Sequence, residues 1–264
     1  MAVTVPSEEQ EFSARLDELE HDARAAARFT YAAATLDHLR SRRPSLTAAL
    51  ERDADFWDTV LGALQTASVA AVARVYDPRS EVVSADRVLK HAIAHAPTLF
   101  SRPALQARLA RRLPVREAAE ESLSAHEPTV ADFAALRASL DRHGALYASA
   151  IGPIRHELFT ELDGSFLMDT LALFQTVQRA DFERLALFPL SLHGALRRLF
   201  HDGRKPEPEI PPSDIARLIA DPMHARDGGA WEQSYMVRDA WRFLTGLERT
   251  DAAEEKRGRE FGED

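Results

Sequence analysis

Cysteine is absent from this 264-residue sequence, which excludes disulfide bonds, thiolate metal ligands and a cysteine nucleophile. Lysine is scarce: 30 of the 33 basic residues are arginine, and the lysines are Lys90, Lys205 and Lys256. Together with the many alanines, this preference is typical of a GC-rich bacterial genome. The use of arginine is therefore only weak evidence for a phosphate-binding protein.

Long apolar runs are also absent. No stretch of 18 or more uninterrupted apolar residues occurs, and residues 1–9 have neither the basic start nor the apolar segment of a secretory signal. Hydrophobic residues make up 45% of the chain and charged residues 28%, as is ordinary for a globular protein. We expect a cytoplasmic protein without a membrane segment.

The formal net charge of −9 argues against a surface that wraps nucleic acid broadly, because such binding depends on neutralised phosphates. A small basic cleft remains compatible with that charge. Arginines cluster in three segments, 40–43, 108–116 and 197–205. Such clusters are common in the last turns of helices, where the helix dipole favours cations. We interpret them as solvated helix ends, with phosphate contact as the alternative.

Apolar residues recur at three- and four-residue spacing along most of the chain, whereas alternating runs are scarce. This periodicity predicts an all-α protein. We expect a helical bundle over residues 1–203, a proline-rich linker over 204–213, a C-terminal helical extension over 214–249 and a mobile tail over 250–264. The segment 56–76 is apolar on several faces, which predicts the central helix of the bundle.

Residues 129–161 are predicted to form one long helix that contains Pro153. The proline should bend this helix one turn before Arg155. Because the bend would aim Arg155 and His156 where a straight helix would not, we take these two as the candidate catalytic residues. The structural alternative for Arg155 is an ion pair at the helix end with an acidic neighbour: Glu157, Glu161 or Asp163.

Motifs of common enzyme classes are missing from the sequence, including a phosphate-binding glycine loop, an HExxH sequence and a nucleophile elbow. His91 and His95 lie four residues apart on one helix face, as in a two-histidine metal site. No carboxylate stands at the adjoining position, so we interpret both as structural or surface residues. We therefore expect no metal ion and no cofactor.

Three segments appear in the order found in one protein family. Residues 70–80 read AAVARVYDPRS, Arg155 is followed directly by the polar His156, and residues 193–206 read HGALRRLFHDGRKP. This order resembles the HEPN-like abortive-infection proteins of the AbiU type, and the resemblance covers about residues 12–206. It implies a helical bundle that commonly forms a homodimer. In the wider HEPN group it also implies a metal-independent RNase of phage-defence or toxin-antitoxin systems.

The catalytic pattern of that family is an arginine followed, after four to six residues, by a histidine. With Arg155 as the arginine, the histidine should fall at Thr160, Glu161 or Leu162, and none of these is a histidine. The chemistry needs an imidazole to move a proton at neutral pH while a guanidinium holds the phosphate. Neither threonine nor glutamate replaces the imidazole in this role. The resemblance therefore implies a degraded RNase motif.

We expect a phage-defence protein of this type that binds RNA, a nucleotide or an antitoxin-like protein partner. Two alternatives remain open. In one, the protein is an active RNase that uses Arg155 and His156 in an unusual spacing. In the other, it is a non-catalytic interaction module whose apolar grooves, or whose helix over residues 231–247, dock a partner.

Overall fold

The computed structural model of this protein describes residues 7–77, 84–160, 177–220 and 231–261, and these are mainly helical. Within those ranges there is no β-strand, so the predicted all-α class is confirmed. The same ranges contain twelve helices: Glu8–Arg40 (α1), Pro44–Glu51 (α2), Ala54–Tyr76 (α3), Ala85–Ala94 (α4), Ala96–Leu99 (α5), Arg102–Leu109 (α6), Val115–Ser124 (α7), Val130–Ala150 (α8), Gly152–Thr160 (α9), Arg179–Asp202 (α10), Ile215–Ala220 (α11) and Glu232–Phe261 (α12).

The long helix α1 begins at a capping box. The Ser7 side chain accepts from the backbone N–H of Gln10, and the Gln10 side chain accepts in return from the Ser7 N–H at 2.9 Å. Two backbone donors that have no partner inside the helix are satisfied in this way. The local sequence therefore fixes the start of the helix around which the bundle assembles.

Helix α1, rather than α3, is the central helix of the described fold. It packs against α3, α10 and α12. One of its faces contributes Phe12, Leu16 and Leu19 to the main core, and another contributes Ala27 and Tyr31 to a second cluster with α10, α11 and α12. The expectation for residues 56–76 was wrong because α1 also carries small residues on its second face, and these let neighbouring helices approach from two sides.

Residues 204–220 and 231–249 include several that contact α1 and α10. Tyr31 donates its hydroxyl to the carbonyl of Ser213 at 3.4 Å, and Ser191 donates to the carbonyl of Glu209. Val237 and Leu244 of α12 are buried against the bundle. The division into bundle, linker and extension stays a prediction, and the extension is in contact with α1.

Helix α12 continues to Phe261, through most of the segment 250–264 that we expected to be a mobile tail. The mobility of that segment stays a prediction. None of the helices in the described ranges combines the length and hydropathy needed to cross a lipid bilayer.

Candidate functional site

The helix predicted over 129–161 is divided in two. Helix α8 ends at Ala150, Ile151 caps it, and α9 begins at Gly152. Pro153 is then the second residue of α9, where its missing N–H costs nothing. The N–H of Arg155 donates to the carbonyl of Ile151 at 2.8 Å and starts the hydrogen bonding of α9. The break, in place of the expected bend, sets Arg155 at the end of the first turn of α9.

Arg155 is held by the carboxylate that ends α3. Its Nη1 lies 2.9 Å from Oδ2 of Asp77, which is the C-cap residue of α3. The Asp77 side chain is 14% exposed and the Arg155 side chain 45% exposed. The ion pair fixes one edge of the guanidinium and leaves nearly half of the side chain accessible to solvent.

The acidic partner of Arg155 differs from those that the sequence suggested. Of these, Glu161 and Asp163 lie outside the described residues, while the observed partner, Asp77, is distant in sequence. Arg74, one turn before Asp77, pairs with Asp22 of α1 at 3.2 Å. The end of α3 is thus held by ion pairs to both α9 and α1.

Two tyrosines pack beneath the ion pair. Tyr76 and Tyr147 stack with ring centroids 5.5 Å apart and an interplanar angle of 14°. Burial raises the pKa of the Tyr147 hydroxyl, and the positive charge of Arg155 only partly opposes this. The phenol therefore stays neutral at physiological pH and supports Arg155 without adding a charge to the site.

His156 follows Arg155 on α9 and is exposed. Consecutive residues of an α-helix point about 100° apart, so these two side chains do not converge on one point within a single chain. Thr160 is the last residue of α9, and Glu161 and Leu162 lie outside the described residues. None of positions 160–162, where the family pattern places the histidine, supplies an imidazole to work with the guanidinium of Arg155.

A second polar site lies beside α10, in a cavity of about 530 Å³ that α1 and the start of α12 also line. Its walls carry six arginine and histidine side chains: Arg24, Arg112, His193, Arg197, Arg198 and His201. We expected the segment 197–205 to be a solvated helix end, and the structure places its first residues in this cavity. The four-residue spacing of positions 193, 197 and 201 could have indicated one polar helix face.

The arginines of this cavity lie next to carboxylates. Nitrogen–oxygen distances join them as follows: Arg112–Asp202 2.6 Å, Arg24–Glu20 2.8 Å, Arg198–Glu209 3.6 Å and Arg197–Glu20 3.9 Å. Glu232 adds a further carboxylate to the wall. The walls hold four carboxylates beside the four arginines, so the cavity has no excess of fixed positive charge to attract a polyanion.

The segment 108–116 also departs from the expected solvated helix end. Arg108 is 6% exposed and donates from Nε to the carbonyl of Phe200 at 2.8 Å and from Nη2 to the carbonyl of Leu99 at 2.7 Å. Arg111 and Arg112, by contrast, are exposed as expected. One residue of the cluster therefore stabilises the interior of the fold, because it reaches carbonyl groups that local sequence does not reveal.

His193, in the wall of the cavity, should weaken the fold in acid. Burial lowers the pKa of its imidazole from the ordinary 6.5 to about 4. The unfolded chain takes up this proton near pH 6.5, so stability present above that pH is lost as the pH falls towards 4. From this one residue we expect a loss of about 2 kcal/mol in the free energy of unfolding between pH 7 and pH 5. Urea unfolding at both pH values measures it.

A His193→Gln variant isolates this contribution. Its loss of stability between pH 7 and pH 5 should be smaller than that of the unchanged protein by about 2 kcal/mol. The exposed His21 provides the control, since His21→Gln should leave the loss unaltered. Equal losses in the His193→Gln variant and the unchanged protein would contradict a neutral buried ring.

Three side chains in the described ranges are close enough to share a metal ion. The ligand atoms of Glu8, His91 and His95 all lie within 4.8 Å of one another. The sequence shows the two histidines on one helix, but the carboxylate comes from the start of α1. Local spacing could not reveal this third residue, because only the packing of α1 on α4 brings it near.

A family model described as AbiU2, of the HEPN type, matches residues 9–160, which is more than half of the chain. No curated protein and no solved structure matches the chain. The matched range contains both Asp77 and Arg155 and ends before α10.

Proposed function

This chain belongs to the AbiU2 family of HEPN proteins, a family of the abortive-infection type, and on that premise we propose that it binds RNA through Arg155. The RNase motif is degraded, because no histidine follows Arg155 at the family spacing. The protein then acts in phage defence by binding and not by cleavage. The proposal places it in the bacterial cytoplasm as a homodimer.

The observation that carries this proposal is the geometry of Arg155. A guanidinium has five N–H donors, and the ion pair with Asp77 engages the group from one side. The 45% exposure of the side chain leaves donors for a phosphate oxygen. Arginine recognises phosphate best when its planar group is oriented in advance, and Asp77 supplies that orientation.

Arg155→Ala should weaken the binding of single-stranded RNA about tenfold, which corresponds to the loss of one charge-assisted phosphate contact. The plot of the logarithm of the binding constant against that of salt concentration should become shallower by about one unit. Fluorescence anisotropy with a labelled RNA at several salt concentrations measures both quantities.

Arg40 is a matched control, since its side chain is 39% exposed and pairs with one carboxylate, Asp58, at 3.3 Å. Arg40→Ala should leave the affinity and the salt dependence unchanged. Equal affinity of the Arg155→Ala variant and the unchanged protein would remove Arg155 from the RNA-binding surface. Asp77→Asn should give a loss of RNA affinity smaller than that of Arg155→Ala, because the guanidinium stays in place but loses the ion pair that orients it.

An active RNase is the second candidate function, and the exposure of both Arg155 and His156 on α9 favours it over other catalytic possibilities. In a homodimer, the arginine of one chain and the histidine of the other would have to meet at one phosphate. Cleavage of RNA that is lost in both Arg155→Ala and His156→Ala would replace the binding proposal with this one.

An antitoxin-like partner belongs to the same proposal, and one surface of the fold supports it. Phe56 and Phe243 are each 60% exposed, and Trp57 packs against both, with ring centroids 5.3 and 6.4 Å away. Clusters of exposed aromatic side chains are typical of protein-binding surfaces. This patch lies on α3 and α12, apart from Arg155 on α9.

A further inference from the structure

Three metal-ligating side chains meet where α1 begins beside α4. Glu8 is the first residue of α1, directly after its cap Ser7. His91 lies in α4, and His95 is the C-cap of the same helix. Because residues four apart in a helix are neighbours on one face, the two rings lie together, with centroids 4.4 Å apart.

The distances fit a tetrahedral ion. Oε2 of Glu8 lies 2.8 Å from Nδ1 of His95 and 3.9 Å from Nε2 of His91. Bonds of 2.0 to 2.1 Å from nitrogen or oxygen to a tetrahedral Zn²⁺ separate neighbouring ligand atoms by about 3.3 Å. The two separations from Glu8 bracket that value, and the nitrogen atoms of the two histidines lie within 4.8 Å of each other.

His91 supplies an independent indication that a ligand belongs here. Its side chain is 10% exposed, and its Nε2 is buried without a hydrogen-bond partner. The ring is held by stacking on Phe12 at 5.9 Å between centroids and 7° between planes. A buried nitrogen without a partner is unfavourable, and here it faces the carboxylate of Glu8 at a distance too long for a hydrogen bond.

The surrounding charges suit a cation. Arg15, the nearby cation, pairs with Glu11 at 2.6 Å. Glu8 itself lies at the positive end of the α1 dipole, which its carboxylate opposes.

We propose that Glu8, His91 and His95 bind one divalent transition-metal ion of the Zn²⁺ class, with solvent in the remaining coordination position. Two imidazoles and one carboxylate are a ligand set that suits such ions. The ion joins the start of α1 to the end of α4. Its role is to stabilise the fold at that junction, and the site lies apart from Arg155.

Titration of the untagged protein with Zn²⁺ after treatment with a chelator tests the site. Isothermal calorimetry should give one ion per chain, and Zn²⁺ should raise the midpoint of thermal unfolding. Co²⁺ used as a second probe should give the intense visible absorption of a four-coordinate ion. Glu8→Gln and His95→Ala should each weaken Zn²⁺ binding at least about tenfold. His91→Phe should do the same while it keeps the stacking on Phe12.

Two variants are matched controls. Glu9→Gln changes the neighbouring carboxylate, which pairs with Arg111 at 2.8 Å, and His21→Gln removes an exposed histidine elsewhere on α1. Both should keep the affinity of the unchanged protein. Absence of Zn²⁺ binding, or an affinity that survives both Glu8→Gln and His95→Ala, would overturn the proposal.

Discussion

Arg108→Ala is expected to lower the free energy of unfolding by about 4 kcal/mol. The Arg108 guanidinium donates to the carbonyls of Phe200 and Leu99 and lies 4.2 Å above the Phe200 ring. Phe200 is in the last turn of α10, where carbonyl groups have no partner inside the helix. Alanine would leave both carbonyls buried and unpaired.

The magnitude follows from the separate contributions. Hydrogen bonds to a charged group contribute about 1.5 to 3 kcal/mol each, and a desolvated cation–π contact about 2. Relief of the buried charge offsets part of this sum. Burial lowers the pKa of Arg108 to about 10, so the group is still charged at pH 7.

Chemical denaturation at pH 7 measures the effect. The stability of Arg108→Lys should lie between that of the unchanged protein and that of Arg108→Ala, because a single ammonium group cannot reach both carbonyls. The control is Arg116→Ala. Arg116 is 91% exposed and pairs with Glu120 along its own helix, so its loss should change stability by less than about 0.5 kcal/mol. A loss below about 1 kcal/mol for Arg108→Ala would show that the two carbonyls find other partners.

Gly203→Ala should destabilise the fold by about 3 kcal/mol. Gly203 closes α10 in the left-handed conformation, with φ +59°, and a side chain there is strained by about 1 kcal/mol. A Cβ atom at this position would also lie 2.5 Å from Cβ of Ala125 and 2.5 Å from Cδ2 of Leu105. Overpacking of this kind costs a further 1 to 3 kcal/mol, roughly.

Gly144→Ala is the matched control for this prediction. Gly144 lies inside α8, and a Cβ there meets nothing within 4 Å. Alanine favours the helix over glycine by about 0.5 to 1 kcal/mol, so this variant should be more stable than the unchanged protein. The midpoint of thermal unfolding should therefore fall for Gly203→Ala and rise for Gly144→Ala. An unchanged midpoint for Gly203→Ala would mean that the backbone around Ala125 shifts to make room for the added methyl group.

Features set by neighbouring residues were predictable. The predicted start of a helix at residue 129 is confirmed, with Thr129 as its cap. The caps at Ser7 and Ser84 and the left-handed Gly203 depend in the same way on side chains within a few positions. The all-α class follows from periodicity in the same way.

Features set by distant packing were not predictable. Phe29 of α1 is 37% exposed, whereas Tyr31, two residues later, is fully buried among side chains of α10, α11 and α12. The ion pair of Arg155 with Asp77 joins two helices whose contact no local pattern reveals. The roles of Arg155 and His156 in RNA binding or cleavage stay predictions.

Helices α10 and α12 pack on α1, although both lie outside the range that the family model matches. A polypeptide cut after Thr160 would retain the whole matched range, yet it would present Ala27, Tyr31 and much of the main core to water. The range that the family model matches is therefore shorter than the set of residues that builds the hydrophobic interior. Residues 177–220 and 231–249 complete that interior.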